Sequence, residues 1–222
     1  MKIILEGTSS SGKSSIVKKF PNTYTKVAMD DLEYNREEMF KKLKNKYYKK
    51  KEADDIFFDI INKRLSNRVK NKNKFIIDMV NPIGYPTIIK YLPKDTIKIL
   101  VYTNLNDLVR NIDKRKTYDS RGLFVFNQFT NYYVKSNNKT GIDTVNINDF
   151  IKSLKNIKYL FESEKELIKF AKDTFKNLGI KNNKTYYIVS RYKFFNAIIN
   201  TKDKTPTELK NLIINNENYL LS

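Results

Sequence analysis

Eight residues, Gly7-Thr8-Ser9-Ser10-Ser11-Gly12-Lys13-Ser14, constrain this chain more than any other stretch. They fit the pattern G-x-x-x-x-G-K-[ST] in full. They lie between an apolar run, "KIIL", and a segment from Ser14 to Phe20 that reads as a short helix stopped by Pro21. A loop in that setting wraps its backbone so that successive N–H groups converge on one point. Gly7 and Gly12 permit the turns, and the small side chains of Thr8, Ser9, Ser10 and Ser11 leave the interior open. Lys13 brings a cation, and Ser14 and Ser15 open a helix whose positive end faces the same point. The ligand such a cradle fits is a phosphate chain, with Lys13 on the terminal phosphates and the Ser14 hydroxyl on magnesium. A disordered serine linker would share the composition, but not the Lys-Ser ending at a helix start. Residues Gly7 to Ser15 are therefore expected to bind a nucleotide, and ATP with magnesium is the expected pair.

The rest of the chain alternates strands with helices. "TKVAMDD", "KNKNKFIIDMVNP" and "TIKILVYTN" read as second, third and fourth strands. Leu32 to Lys70 has a helical pattern, "IIKYLP" reads as a short helix, and a helix follows from about Leu105 to Lys116. After a polar stretch, "GIDTVNIN" reads as a short fifth strand, with Asp149 capping a helix that runs to Tyr159. The expected fold is α/β, a parallel five-stranded sheet flanked by helices. The regular pattern ends near residue 160, so residues 1–160 are expected to form the core and 161–222 a C-terminal extension. Within that extension "ESEKELIKFAKDTFKNLG" is an amphipathic helix ending at Gly179, "KTYYIVSRY" a strand, and "TPTELKNLIINN" a helix capped by Thr205 with Pro206 first.

Three clusters narrow the chemistry. "FIIDM" puts Asp78 at the carboxyl end of a buried strand, where open α/β sheets bind ligands and where an acid would hold magnesium's water shell. "VAMDD" ends the second strand with Asp30 and Asp31. A carboxylate there can take the proton of an acceptor hydroxyl, or it can cap the helix that follows. "RNIDKRKTYDSRG" carries Arg110, Arg115 and Arg121. These are three of only seven arginines in the chain, and they fall within twelve residues. Arginines in that density suit a lid over phosphates; a solvated basic face is the plainer alternative.

Composition removes other chemistries. The chain has no cysteine and no histidine, which excludes disulfides, thiolate sites and histidine general bases. The absence of cysteine fits a reducing compartment. No stretch approaches the roughly 18 apolar residues of a membrane span, and "IIL" before Glu6 is no signal peptide. A cytoplasmic location without membrane attachment is expected. The net charge of +19 suits nucleic acid as a partner, but the lysines are scattered and asparagine is abundant, as AT-rich coding also produces. "NKYYKKKE" and "SRYKFFN" place aromatic rings beside cations, which would suit base stacking.

"KIILEGTSSSGKSSIVKKF" resembles the start of chloramphenicol phosphotransferase and its relatives among the P-loop kinases, which include the zeta toxins. "VAMDDL" is similar to the strand whose final acid serves that family as base, a role the resemblance carries to Asp30. "FIIDMVN" resembles the third-strand segment, with Met79 where the family usually has a second acid. "ILVYTNLNDLVRNIDKRKTYDSRG" is similar to the fourth strand and arginine-bearing lid, and carries the lid role to Arg110, Arg115 and Arg121. "GIDTVNIN" is similar to the segment that closes such cores. The resemblance spans roughly residues 1–158. Leu32 to Lys70 is unlike the family's acceptor-binding region, and the C-terminal part has no counterpart. It implies a kinase-type P-loop fold that moves the γ-phosphate of ATP to a hydroxyl-bearing acceptor. A nucleotide or polynucleotide kinase, and a nucleic-acid-binding protein switched by nucleotide, remain open as alternatives.

Overall fold

The computed structural model describes residues 1–32, 41, 50–80, 92–115, 121–136, 141–180 and 184–215. The first four sequence-predicted strands are present as β1 (Lys2–Gly7), β2 (Thr25–Ala28), β3 (Phe75–Val80) and β4 (Ile97–Tyr102). Helix α1 (Lys13–Lys19) follows β1 and stops one residue before Phe20, whose backbone is extended ahead of Pro21. After β2 the chain makes one helical turn, α2 (Met29–Leu32). A long helix, α3 (Lys50–Val69), then precedes β3. The short helix expected at "IIKYLP" lies almost wholly outside the described residues.

Five parallel strands form one sheet in the order β2-β3-β1-β4-β8, where β8 is Ala197–Asn200. The fifth strand of this sheet is not the one the sequence predicts. Asp143–Asn146 is a strand, β6, but it joins β5 (Tyr133–Ser136) and β7 (Lys184–Val189) in a separate antiparallel sheet of order β5-β7-β6. The main sheet is completed instead from beyond residue 160, and the helix after β8, α8 (Pro206–Ile214), packs against α1. Thr205 caps α8 with Pro206 first, as the sequence predicts, and Glu208 completes a capping box with Thr205.

Strand β1 lies at the centre, which explains its unbroken apolar run: both faces are covered. On one face Ile3, Leu5, Ile76, Ile99, Val101 and Ile199 meet Ile16 of α1, Phe20 just past its end, and Leu209 and Ile213 of α8. On the other, Ile4, Val27, Ile77 and Met79 meet Phe57, Ile61 and Leu65 of α3. Met79, where the kinase resemblance has a second acid, is thus an ordinary core side chain.

The third cluster gathers Leu100 and Tyr102 of β4 with α4 (Leu105–Arg115), α5 (Arg121–Tyr132), α6 (Ile147–Leu154) and α7 (Glu164–Asn177). Helix α5 is absent from the sequence-based reading. Helix α6 is capped by Asn146, whose side chain accepts from the Asn148 N–H, and not by Asp149. Asp149 sits inside the first turn. Gly179 ends α7 with φ 72°, the left-handed backbone that its cap requires. Among the described residues no helix is long and apolar enough to cross a membrane.

Candidate functional site

The parallel register sets three strand ends side by side. Leu5 of β1 lies opposite both Asp78 of β3 and Ile99 of β4, and Asp78 lies opposite Ala28 of β2. Asp78 therefore points to the face on which α1 packs, at the carboxyl edge of the sheet. The loop from Gly7 to Ser14 leaves β1 there. Its first glycine is needed for space: a Cβ on Gly7 would lie 2.5 Å from the Val101 carbonyl oxygen of the neighbouring strand. Gly12 has open space around it, and φ +92° alone demands glycine. Ser10 also holds a left-handed backbone, φ 64°. Gly7→Ala should destabilise the fold by about 1–3 kcal/mol, as overpacking against backbone does. An unchanged denaturant midpoint would show that the strand yields freely.

Lys13 is buried and folds back over the loop. Its ammonium donates to the Gly7 carbonyl at 3.1 Å, the Thr8 carbonyl at 2.7 Å and the Ser11 hydroxyl at 3.3 Å. Burial pushes the Lys13 ammonium down to about 8 from its ordinary 10.5; Asp78, Asp30 and Glu6 hold it up, and Arg115 presses it down further. Four candidate residues from distant segments are thus electrostatic neighbours. The Ser14 hydroxyl donates to Asp78 Oδ2. These two oxygens meet at one point, and hard oxygen donors of this kind suit magnesium, which needs only one or two from the protein. Among the described residues no group of three or more acids, cysteines or histidines could hold a metal alone.

Two side chains that sequence reasoning did not single out hold the loop's crest. Gln128 of α5 is buried and accepts from the Ser9 N–H at 2.7 Å. Asn111 of α4 donates to the Ser10 carbonyl at 2.8 Å. Asn111 and Arg115 stand four apart and share a helix face, which brings Arg115 towards Lys13. Arg110 sits on a different face. It pairs with Asp107 and is 64% exposed, so the structure does not bring it to the loop. Arg121 opens α5, but its side chain and residues 116–120 lie outside the described residues.

Asp30 does not end a strand as expected. Strand β2 stops at Ala28, and Asp30 and Asp31 occupy the helical turn α2, where successive side chains diverge by about 100°. Asp30 is exposed and close enough to Lys13 to influence its charge.

Glu6 is a third residue that sequence reasoning did not single out. It is 1% exposed at the end of β1, on the face opposite Asp78, and Arg191 pairs with it at 3.1 Å. A glutamate inside an apolar strand was a legible signal; its partner, 185 residues away, was not. Arg191 also lies over the Phe194 ring at 5.0 Å, so the cation and a ring of "SRYKFFN" serve each other. Burial pushes the Glu6 carboxyl up to about 7 from 4.5, against the lowering effects of Arg191, Tyr132 and Lys13. A carboxyl raised on folding binds its proton more tightly in the folded chain. Its stabilising contribution is present below pH 4.5 and is lost as pH climbs through 7. That loss is about 3 kcal/mol. Glu6→Gln should flatten the fall in unfolding free energy between pH 4.5 and 8; parallel pH profiles for the two proteins would refute the assignment. No family model matches this chain, and no curated protein matches its sequence.

Proposed function

We propose that the protein is a P-loop kinase that transfers the γ-phosphate of ATP to a hydroxyl of an acceptor. The observation that carries this reading is the convergence of the Lys13 ammonium, the Ser14–Asp78 pair, Asp30 and Arg115 beside one glycine-bounded loop. Gly7 to Ser15 would cradle the phosphate chain. Lys13, released from the loop carbonyls, would neutralise the terminal phosphates, and Arg115 would cover the group in transit. Ser14 and Asp78 would hold magnesium, which would supply positive charge against the phosphates. Asp30 orients the acceptor hydroxyl. The hydroxyl oxygen bonds to the γ-phosphorus, the bond from that phosphorus to the bridging oxygen breaks, the proton passes to Asp30, and ADP leaves.

The test is equilibrium binding of ATP with magnesium to the full chain, followed by transfer of γ-label to hydroxyl compounds. A chain that binds no ATP sinks the reading. Nucleic acid as acceptor or partner is the second reading, and two observations favour it: the net charge of +19, and half-exposed Tyr192 with Lys193 5.9 Å from its ring centre. Binding of single-stranded RNA or DNA that weakens steeply with salt and stimulates ATP turnover would support it; binding without stimulation would leave nucleic acid outside the reaction.

A further inference from the structure

Beside the turn that carries Asp30 lies a cleft of about 380 Å³, lined among the described residues by Asp31, Leu32, Arg64, Asn67 and Arg68. Its size falls in the range of small-molecule sites, roughly 300–1,000 Å³. Arg64 and Arg68 stand one turn apart on α3 and share a face. Arg64 is fixed in place, because Nη1 donates to the Leu32 carbonyl at 2.9 Å. Among the described residues that is its one hydrogen bond, which leaves most of its guanidinium donors to a ligand. No acid among the described residues forms an ion pair with either arginine. The choice of arginine is itself informative: lysine supplies most of the chain's 43 basic residues, arginine only seven, and two of those seven line this cleft. A lysine would give charge alone, whereas two guanidinium forks match the oxygens of a phosphate.

We propose that this cleft anchors the acceptor and that the acceptor carries a phosphomonoester, its anionic head on Arg64 and Arg68 and its hydroxyl towards Asp30. The proposal rests on the kinase reading for the role of Asp30, but the anion site can be tested without turnover. Asn67 adds an amide donor for the head. Asp31 is the one carboxylate in the described lining. It repels the head, and so favours the orientation in which the phosphate lies on the arginines. A carboxylate acceptor offers too few oxygens for both forks and Asn67, and a neutral one would leave both cations unanswered.

The experiment is calorimetric binding to the full chain with ADP and magnesium present, so that the Gly7–Ser15 cradle is filled. The probes are 5′-mononucleotides and sugar phosphates, each against the same compound without its phosphate. The two series distinguish a nucleotide from a sugar source. In at least one series the phosphorylated member should bind tenfold or more tightly, and Arg68→Met should remove most of that preference. Arg64→Met should act in the same direction, with circular dichroism checking that loss of its bond to Leu32 leaves the fold intact. Equal affinity within every pair, no binding by any probe, or a preference that survives Arg68→Met would overturn the proposal. Absence of ADP binding would count against the kinase reading alone, since dependence on Arg68 is read independently.

Discussion

Lys13→Ala is expected to lower phosphoryl transfer by about 10²–10³-fold or more, the scale seen when a preorganised charge is removed from a transition state. Nucleotide affinity should fall with it, because this ammonium is the cation buried in the loop. The fold should survive. Two loop carbonyls and the Ser11 hydroxyl lose a donor, which costs about 1–3 kcal/mol for each group left without water. Removing a desolvated cation offsets part of that. A cooperative thermal transition with no nucleotide-induced rise in midpoint is the expected result. Full turnover by the variant would remove Lys13 from the reaction.

The wild-type protein offers a companion measurement. Burial holds the ammonium down to about 8, and an anion bound beside it would favour the charged form. Between pH 8 and 10 nucleotide binding should therefore take up a proton. Binding enthalpies in buffers of different ionisation heat report that uptake, which Lys13→Ala should abolish.

Asp30→Asn is expected to leave nucleotide affinity near normal and to lower transfer by about 10²–10⁴-fold, the range for a positioned general base. The substitution keeps shape and removes basicity. The helical turn sharpens the contrast with its neighbour. Asp31 points elsewhere, into the cleft with Arg64 and Arg68, so Asp31→Asn should alter acceptor affinity more than the rate of the bound complex. If Asp30 only steadies the turn, Asn would replace it almost silently, since the two residues are close equivalents at helix starts. Equal transfer rates for Asp30→Asn and wild type would leave that structural role alone.

What could be read from the sequence was mostly what is local. β1, the glycine-bounded loop and α1 are contiguous, and their apolar run, glycines and Pro21 state their geometry directly. The capping box at Thr205 is likewise written in four residues. The fifth strand is not legible, because Asp143–Asn146 and Ala197–Asn200 are both four-residue segments. Neither is long enough for its pattern to say which sheet receives it; the edge of β4 decides that. Helix α5 is not legible either, because Phe, Val and Thr along "RGLFVFNQFTNY" suit strands as well as helices. The placement of the arginines was half legible. Buried Leu105, Leu108, Val109 and Ile112 define which side of α4 is inward, and that side separates Arg110 from the Asn111–Arg115 face. Gln128 and Arg191 reach the site from 119 and 185 residues away, and no spacing rule reports such contacts.

The position of β8 bears on how the chain acquires its fold during synthesis. β1, β2, β3 and β4 are complete once residue 102 has left the ribosome, yet β4 then presents an unpaired edge until Ala197–Asn200 appears. About ninety-five residues separate the two strands, which at about 5–20 residues per second leaves that edge bare for several seconds or more. An exposed parallel edge is a template for association with other chains. A nascent chain stalled near residue 160 would thus carry most of the surroundings of the Gly7–Ser14 loop but neither the closing strand of the sheet nor Arg191. Pairing across so long a loop is also intrinsically slow. The final folding step should therefore be the docking of β8 and α8 onto β4 and α1, and pulse-labelling hydrogen exchange would find the amides of Ala197–Asn200 protected last.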